Sequence, residues 1–269
     1  SKCIINLTKI IRMGSNQKEG KFYMLILNWK MTFDKVDHRA LLIALRRMGF
    51  SQQYVDIIKD IYSNPQFYVC EDRVSSSTRR QNGGVRQGCP LSPYLFIIAL
   101  HVIFYDLEHT LQDKDVLHHM NTAIDGLWDL EYADDTIIFG RSLQLLQTAL
   151  LALQEESALY GLFLKSTKCA LVVYDELQQK RHRQTPDLPP AQRTIQFRTG
   201  EHVPLREREL YLGGQIRTDY NTSYEVGRRI AFGENAYQDL KRIFLTATVS
   251  LRRKLEIYYA CIATKIIYG

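Results

Sequence analysis

Cysteine is sparse in this chain, and what there is does not pair. Cys3, Cys70, Cys89, Cys169 and Cys261 are widely scattered, odd in number and contain no CxxC motif. That argues against a zinc site of ordinary spacing and against a disulfide framework, and leaves reduced, mostly buried thiols. Long apolar runs are also missing. A membrane helix needs roughly 18 or more consecutive apolar residues, and the best stretch here, Tyr94 to Tyr105, is short and broken by His101. No transmembrane segment is expected. Ser1-Lys2-Cys3 carries neither an initiator Met nor a signal-peptide pattern, so the chain reads as a fragment, a processed product or part of something longer. There is no internal repeat and no low-complexity tract, which sets aside solenoid and fibrous architectures.

What is present suits a globular protein. Apolar residues make up 45% and charged residues 24% of 269 residues, enough for one large domain or two modest ones with a substantial core. Lys and Arg outnumber Asp and Glu by 35 to 29, a net charge of +6. That balance favours an acidic partner such as nucleic acid, though weakly.

The elements alternate irregularly. Phe22 to Trp29 is an apolar, β-prone run suited to a buried strand. Asp37 to Met48 and Ser51 to Tyr62 have helical spacing, with Gly49 as a stop and Ser51 as an N-cap. Phe67 to Cys70 reads as a strand. Ser92 as a cap and Pro93 at the first helical position launch a long helix to about Leu111. Leu127 to Tyr132 and Thr136 to Phe139 form two strands with a tight connection. A helix follows over Leu143 to Tyr160, ended by Gly161, then strand-like runs at Leu162 to Leu164 and Ala170 to Tyr174. Residues 175–203, with Pro186, Pro189 and Pro190, suit a long loop or insertion. Leu210 to Ile216 contains a strand or hairpin, and Tyr224 to Thr246 and Ser250 to Tyr268 read as helices. This order predicts an α+β fold rather than a doubly wound sheet.

Three stretches carry chemistry. Tyr132-Ala133-Asp134-Asp135 places two adjacent carboxylates on a turn between apolar strands. Such a pair is costly unless it faces water or binds cations, and two Mg²⁺ about 3.5–4 Å apart are what a nucleotidyl-transferring site would hold there. An ordinary hairpin with an Asp-Asp turn gives the same four letters. Asn82 to Phe96 (NGGVRQGCPLSPYLF) combines glycines that admit close backbone approach with hydrogen-bonding Arg86 and Gln87 and a Pro-Leu-Ser-Pro helix start. Phe33-Asp34-Lys35-Val36-Asp37-His38 precedes a leucine-rich helix, for which Asp37 and His38 are natural caps.

These stretches, in this order, resemble the palm of reverse transcriptases, in particular those of non-LTR, LINE-like retrotransposons. The resemblance runs from about residue 22 to the end. It implies a right-hand polymerase palm, an antiparallel sheet backed by helices, followed by thumb-like helices. The corresponding divisions are a residual N-terminal segment at 1–21, the palm at 22–216 and thumb-like helices at 217–269. It assigns Asp134 and Asp135 to metal binding and catalysis, and Phe33, Arg86, Gln87 and Gly88 to the incoming nucleotide. Gly161 to Lys168 resembles a later palm segment, in which Lys168 matches a lysine assigned to protonating pyrophosphate. An exposed, solvated lysine is the alternative, and Lys165 stands where the family usually has Asn. Leu210-Tyr211-Leu212-Gly213-Gly214 resembles the primer-grip hairpin. Arg228, Arg229, Arg252, Arg253 and Lys254, with Lys241 and Arg242, form the basic set of the thumb helices, read either as nucleic-acid contacts or as a solvated face.

Two departures shape the expected function. The family's first palm strand carries a metal-binding Asp five residues before the Phe of the FD pair, and here that position is Asn28. An amide offers an oxygen without charge and cannot bridge two hard cations as a carboxylate does. Asp34 lies six residues on and should point elsewhere. The family also places basic fingers before this strand, where only residues 1–21 stand, and no endonuclease domain has room. The expectation is a retroelement-derived, catalytically defective domain kept as a structural or RNA-associated subunit of a larger assembly. The alternatives are an active RNA-directed DNA polymerase using two Mg²⁺, and a non-catalytic RNA-binding module. Other protein subunits and RNA or an RNA/DNA duplex are the partners implied. The location is intracellular, in the nucleus or an organelle.

Overall fold

The computed structural model describes Leu7 and residues 21–71, 74–120, 127–174, 194–219 and 223–267. Expectations for 175–193, and most of those for 1–20, fall outside these residues.

The fold is built on β1 (Phe22–Leu27), whose six residues are all buried. Tyr23, Leu25 and Leu27 enter the larger core under the helices, while Phe22, Met24 and Ile26 enter a second core on the opposite face. Burial on both faces explains why this run shows no polar alternation. Around it stand β6 (Asp129–Tyr132), β7 (Asp135–Gly140) and β8 (Ala170–Tyr174), in the order β6-β7-β1-β8. Every neighbouring pair is antiparallel.

One face of the sheet is covered by helices. After a short α1 (Thr32–Lys35), α2 (His38–Arg47) and α3 (Gln52–Ile61) lead to the long α4 (Ser92–Asp113), α5 (Val116–Met120) and α6 (Leu143–Ala158). The Asp37 side chain accepts from Ala40 N at 2.9 Å, the expected cap of α2. Arg47 of α2 grips Asp106 of α4, its Nη1 donating at 2.6 Å. By length and composition α4 would cross a membrane, but Leu95, Phe96, Ile103, Leu107 and Leu111 are fully buried in this core. The other face carries the hairpin of β9 (Arg208–Tyr211) and β10 (Gly214–Arg217), which buries Tyr211 and Ile216. The chain then runs through α7 (Ser223–Leu245), α8 (Leu251–Ile257), a π-helical stretch Tyr258–Ala263 and α9 (Thr264–Ile267).

Several local expectations change. Phe67 to Cys70 is split between two small ribbons. β2 (Gln66–Phe67) pairs with β5 (Arg79–Arg80), and β3 (Cys70–Glu71) with β4 (Val74–Ser75). All four strands are exposed, so no buried face holds a longer strand together. Leu162 to Leu164 makes only a bridge from Leu164 to Trp29. Ser51 and Ser92 do not cap as expected. Ser51 sits at the N-cap without a side-chain bond, and Ser92 is already inside α4, with Leu91 at the N-cap. The end of the polar stretch is packed rather than looped out. Ile195, Phe197 and Val203 are buried, and Gln147 of α6 bonds both backbone groups of Gln196.

Candidate active site

The Asp134-Asp135 turn closes between Tyr132 and Asp135, the last pair of the β6–β7 ladder, with Ala133 at φ 55. Asp134 is exposed at its tip and Asp135 is half-buried. Burial, and then the neighbouring Asp134 charge, push the Asp135 carboxyl above the ordinary aspartate range. A group so placed is relieved by a cation.

Asn28 follows directly on β1, whose last ladder partner, Thr136, is the residue after Asp135. The β1–β7 ladder ends at Leu27↔Thr136; continued by one step, the same register would set Asn28 against Asp135. Pleat alternation would put both on the face of Ile26 and Ile137, members of the second core. From the opposite face the buried Trp29 Nε1 donates to Thr136 Oγ1 at 3.3 Å, which pins this register. The Asn28 backbone is also occupied: its N–H donates to Cys169 Sγ at 3.3 Å, and its carbonyl accepts from Lys165 N at 2.7 Å. The position is therefore well defined, and it holds an amide.

The glycine segment packs edge-on against the turn after β1. Gly84 N donates to Val36 O at 2.8 Å, Val85 N to Phe33 O at 2.5 Å, and His38 Nε2 to Gly84 O at 2.7 Å. Gln87 Nε2 donates to Asp34 Oδ1 at 3.1 Å, so the Asp34 carboxylate is engaged by the glycine segment. The Phe33 ring packs on Phe96 with centroids 5.3 Å apart. Arg86, Gln87 and Gly88 are exposed on the loop that leads into α4. Lys168 closes the 3-10 turn Ser166–Lys168 and is exposed, as is Lys165. Of the basic set, Arg252, Arg253 and Lys254 lie on α8, where Arg252 and Arg253 pair with Glu256. Arg228 and Arg229 instead turn inward, onto Glu225 and Gly213 O.

Two features near the site escaped the sequence reading. Tyr211, 76 residues away in sequence, donates its buried hydroxyl to Asp135 O at 3.4 Å, and no local signal announces such a pairing. Asp129 and Glu131, two apart on β6, share a face and are partly buried, with Glu108 of α4 near Asp129. Their i, i+2 spacing was the available clue. Burial pushes both carboxyls up, to about 6 for Asp129, where a hydrogen bond with Glu131 opposes the rise and the Glu108 charge adds to it, and to about 8 for Glu131, where the Asp129 charge and the shared hydrogen bond both add. The folded state thus binds more protons than the unfolded one, so this stabilisation is full below the ordinary carboxyl range. It is lost as pH rises toward about 8. Glu131→Gln is expected to flatten the fall in stability between pH 5 and about 8, read by denaturant titration across pH. An unchanged slope would rule out this pair as its source.

An acidic turn at the end of an antiparallel sheet backed by helices is the arrangement of a polymerase palm. The sequence comparisons make the class specific. Residues 4–207 match the reverse transcriptase (RNA-dependent DNA polymerase) family, and the chain belongs to it. The match begins upstream of Phe22, where the motif reading began, and stops before β9 and the helices that follow. Among curated relatives, the Pol polyprotein of the type-1 retrotransposable element R2 of Nasonia vitripennis is 28% identical over 163 residues, covering 61% of this chain and 15% of that protein. That of R2DM of Drosophila melanogaster is 27% identical over 172 residues, covering 63% and 16%. The chain thus spans about a sixth of these non-LTR element proteins. Among solved structures, telomerase from Candida albicans, in complex with a fragment of telomeric RNA, aligns over 97% of this chain and 41% of its own, at 13% identity and a TM-score of 0.43.

Divalent metal is typical of this family. Asp134 and Asp135 suit a hard cation, but Asn28 withholds the third charge and the bridging oxygen. Among the described residues no three His, Cys, Asp or Glu groups converge. The donor set does not fit a two-cation centre.

Proposed function

We propose that this reverse-transcriptase palm has lost most of its polymerase activity and serves as an RNA-associated or structural subunit of a larger assembly, inside the cell. An amide at Asn28, the residue after the last β1–β7 pair Leu27↔Thr136 at the Asp134-Asp135 end of the sheet, carries the reading. Arg252 and Arg253, exposed on α8, and the partly exposed Lys254 supply the nucleic-acid contact in it. The test runs both activities on one sample: the purified chain is expected to bind an RNA/DNA hybrid yet give no extension of its primer above background. Robust extension by the unmodified chain would establish the second reading, an active polymerase, which the intact Asp134-Asp135 turn favours. Binding with neither extension nor an effect of Asn28→Asp would favour a plain RNA-binding module.

The contact itself is testable by salt. Each phosphate neutralised contributes about 0.7–0.9 to the slope of log affinity against log salt. Changing Arg252, Arg253 and Lys254 together to Ala is expected to lower that slope by about 2–3 and weaken binding with little dependence on sequence. An unchanged slope would make α8 a merely solvated face.

A further inference from the structure

The turn between β9 and β10 is tied to α7 by a polar clasp. Leu212 (φ 48) and Gly213 (φ 72) shape this turn. The Gly213 carbonyl accepts from Arg228 Nη2 at 2.5 Å and from Arg229 Nη2. Glu225, one turn earlier on α7, accepts from Arg228 Nε and Nη2, both at 2.9 Å, and from Arg229 Nε at 2.6 Å. Its carboxylate also reaches Gln215 N on β10 at 3.1 Å. Burial opposes ionisation of Glu225, but the two guanidiniums prevail and hold its carboxyl below the usual range. The Arg229 side chain is only 10% exposed, so the cluster is held largely out of water, where a completed ion network is worth most and a broken one costs most.

Pairs at i, i+3 and i, i+4 on one helix stabilise that helix alone and modestly. This cluster does more, because each member also bonds a group 10 to 16 residues away on the hairpin. At the same turn the hairpin is also held by Tyr211, the last residue of β9, whose hydroxyl donates to Asp135 O. Two covalent steps, Tyr211 to Gly213, therefore connect the backbone of the acidic turn to the first turns of α7.

We propose that Glu225 is a positioning residue: with Arg228 and Arg229 it locks α7 to the β9–β10 turn, and through Tyr211 fixes the helices after the palm relative to the Asp134-Asp135 turn. The clasp sets the spacing between α8's basic residues and the acidic turn whether or not that turn is catalytic. Its disruption would loosen the placement of α7 while leaving the palm sheet folded.

The test uses the full chain, Glu225→Gln and, as a second variant that keeps the buried carboxylate, Arg228→Ala. Spin labels are placed through bioorthogonal side chains at the exposed positions of Arg39 on α2 and Lys241 on α7. Both variants are expected to broaden the distance distribution between the labels. Amide exchange over Gly214–Arg217 should accelerate about tenfold or more, with exchange in β1, β7 and β8 unchanged. Should Glu225→Gln not fold, Arg228→Ala carries the test. Unchanged distance distributions would overturn the proposal, and so would exchange that accelerates equally in hairpin and sheet, since that is a general loss of stability.

Discussion

Asn28→Asp is expected to raise primer extension on an RNA template by about 100-fold or more over the unmodified chain, at saturating Mg²⁺. The argument rests on charge. Two hard cations need anionic oxygens, one of them bridging, and the unmodified site offers two carboxylates and an amide. A bridging carboxylate supplies several kcal/mol of transition-state stabilisation, and each 1.36 kcal/mol is a factor of about ten in rate. The substitution is nearly isosteric, and the groups that fix Asn28 are backbone groups: its N–H on Cys169 Sγ and its carbonyl under Lys165 N. The register pin from Trp29 to Thr136 is likewise untouched. A side effect follows. Asp135 already suffers from burial and from Asp134, and a third carboxylate adds repulsion, so metal-free Asn28→Asp should be less stable than the parent and should gain more from Mg²⁺ in a melting experiment. Adding Asp135→Asn to the Asn28→Asp chain should abolish the restored extension. Equal extension by the parent and by Asn28→Asp would sink the assignment of Asn28 as the lesion.

Much of this site was legible because its parts are short-range. The Asp134-Asp135 turn lies between flanking apolar runs, Asp37 caps the helix that follows it, and Pro93 sits in the first turn of α4. Counting five residues back from Phe33 was enough to question Asn28. The ladder that brings the end of β1 to the start of β7 joins strands more than a hundred residues apart, and it comes from packing on both faces of β1, which apolar letters alone do not order. The basic residues show the limit most clearly. Arg228-Arg229 and Arg252-Arg253 read alike as charge. The first pair is drawn inward because Glu225 and the Gly213 carbonyl await it, and the second stays on the surface of α8. The strand expected at Phe67 to Cys70 failed for the complementary reason: β-propensity without a surface to bury against yields only two-residue ribbons.

Gly84→Ala is expected to destabilise the fold by about 3 kcal/mol or more, against about 1 kcal/mol for Gly88→Ala, although both glycines have nearly the same backbone angle. Gly84 has φ +82 and Gly88 φ +83, and an L-residue there costs about 1–2 kcal/mol. What separates them is space. A Cβ at Gly84 would lie 2.5 Å from the Asp34 carbonyl carbon and 2.6 Å from both Asp34 Cα and Phe33 O, whereas at Gly88 it would meet nothing within 4 Å. The atoms in the way are backbone and cannot rotate aside. Nor can the segment retreat, since Val36 O and Phe33 O are bonded to Gly84 N and Val85 N, and the Phe33 ring rests on Phe96. Gly161 also approaches this turn closely, since its own added Cβ would lie 2.6 Å from Lys35 O. The turn carrying Phe33 and Asp34 is thus clamped between two glycines at close approach, and Gln87 is held to it through Asp34. Denaturant titration of the two variants measures the difference directly. If they are equally destabilised, left-handed backbone strain alone sets the cost and the clamp is dispensable. If Gly84→Ala falls well below Gly88→Ala in stability, the Arg86–Gly88 loop is positioned by backbone contact rather than by its exposed side chains.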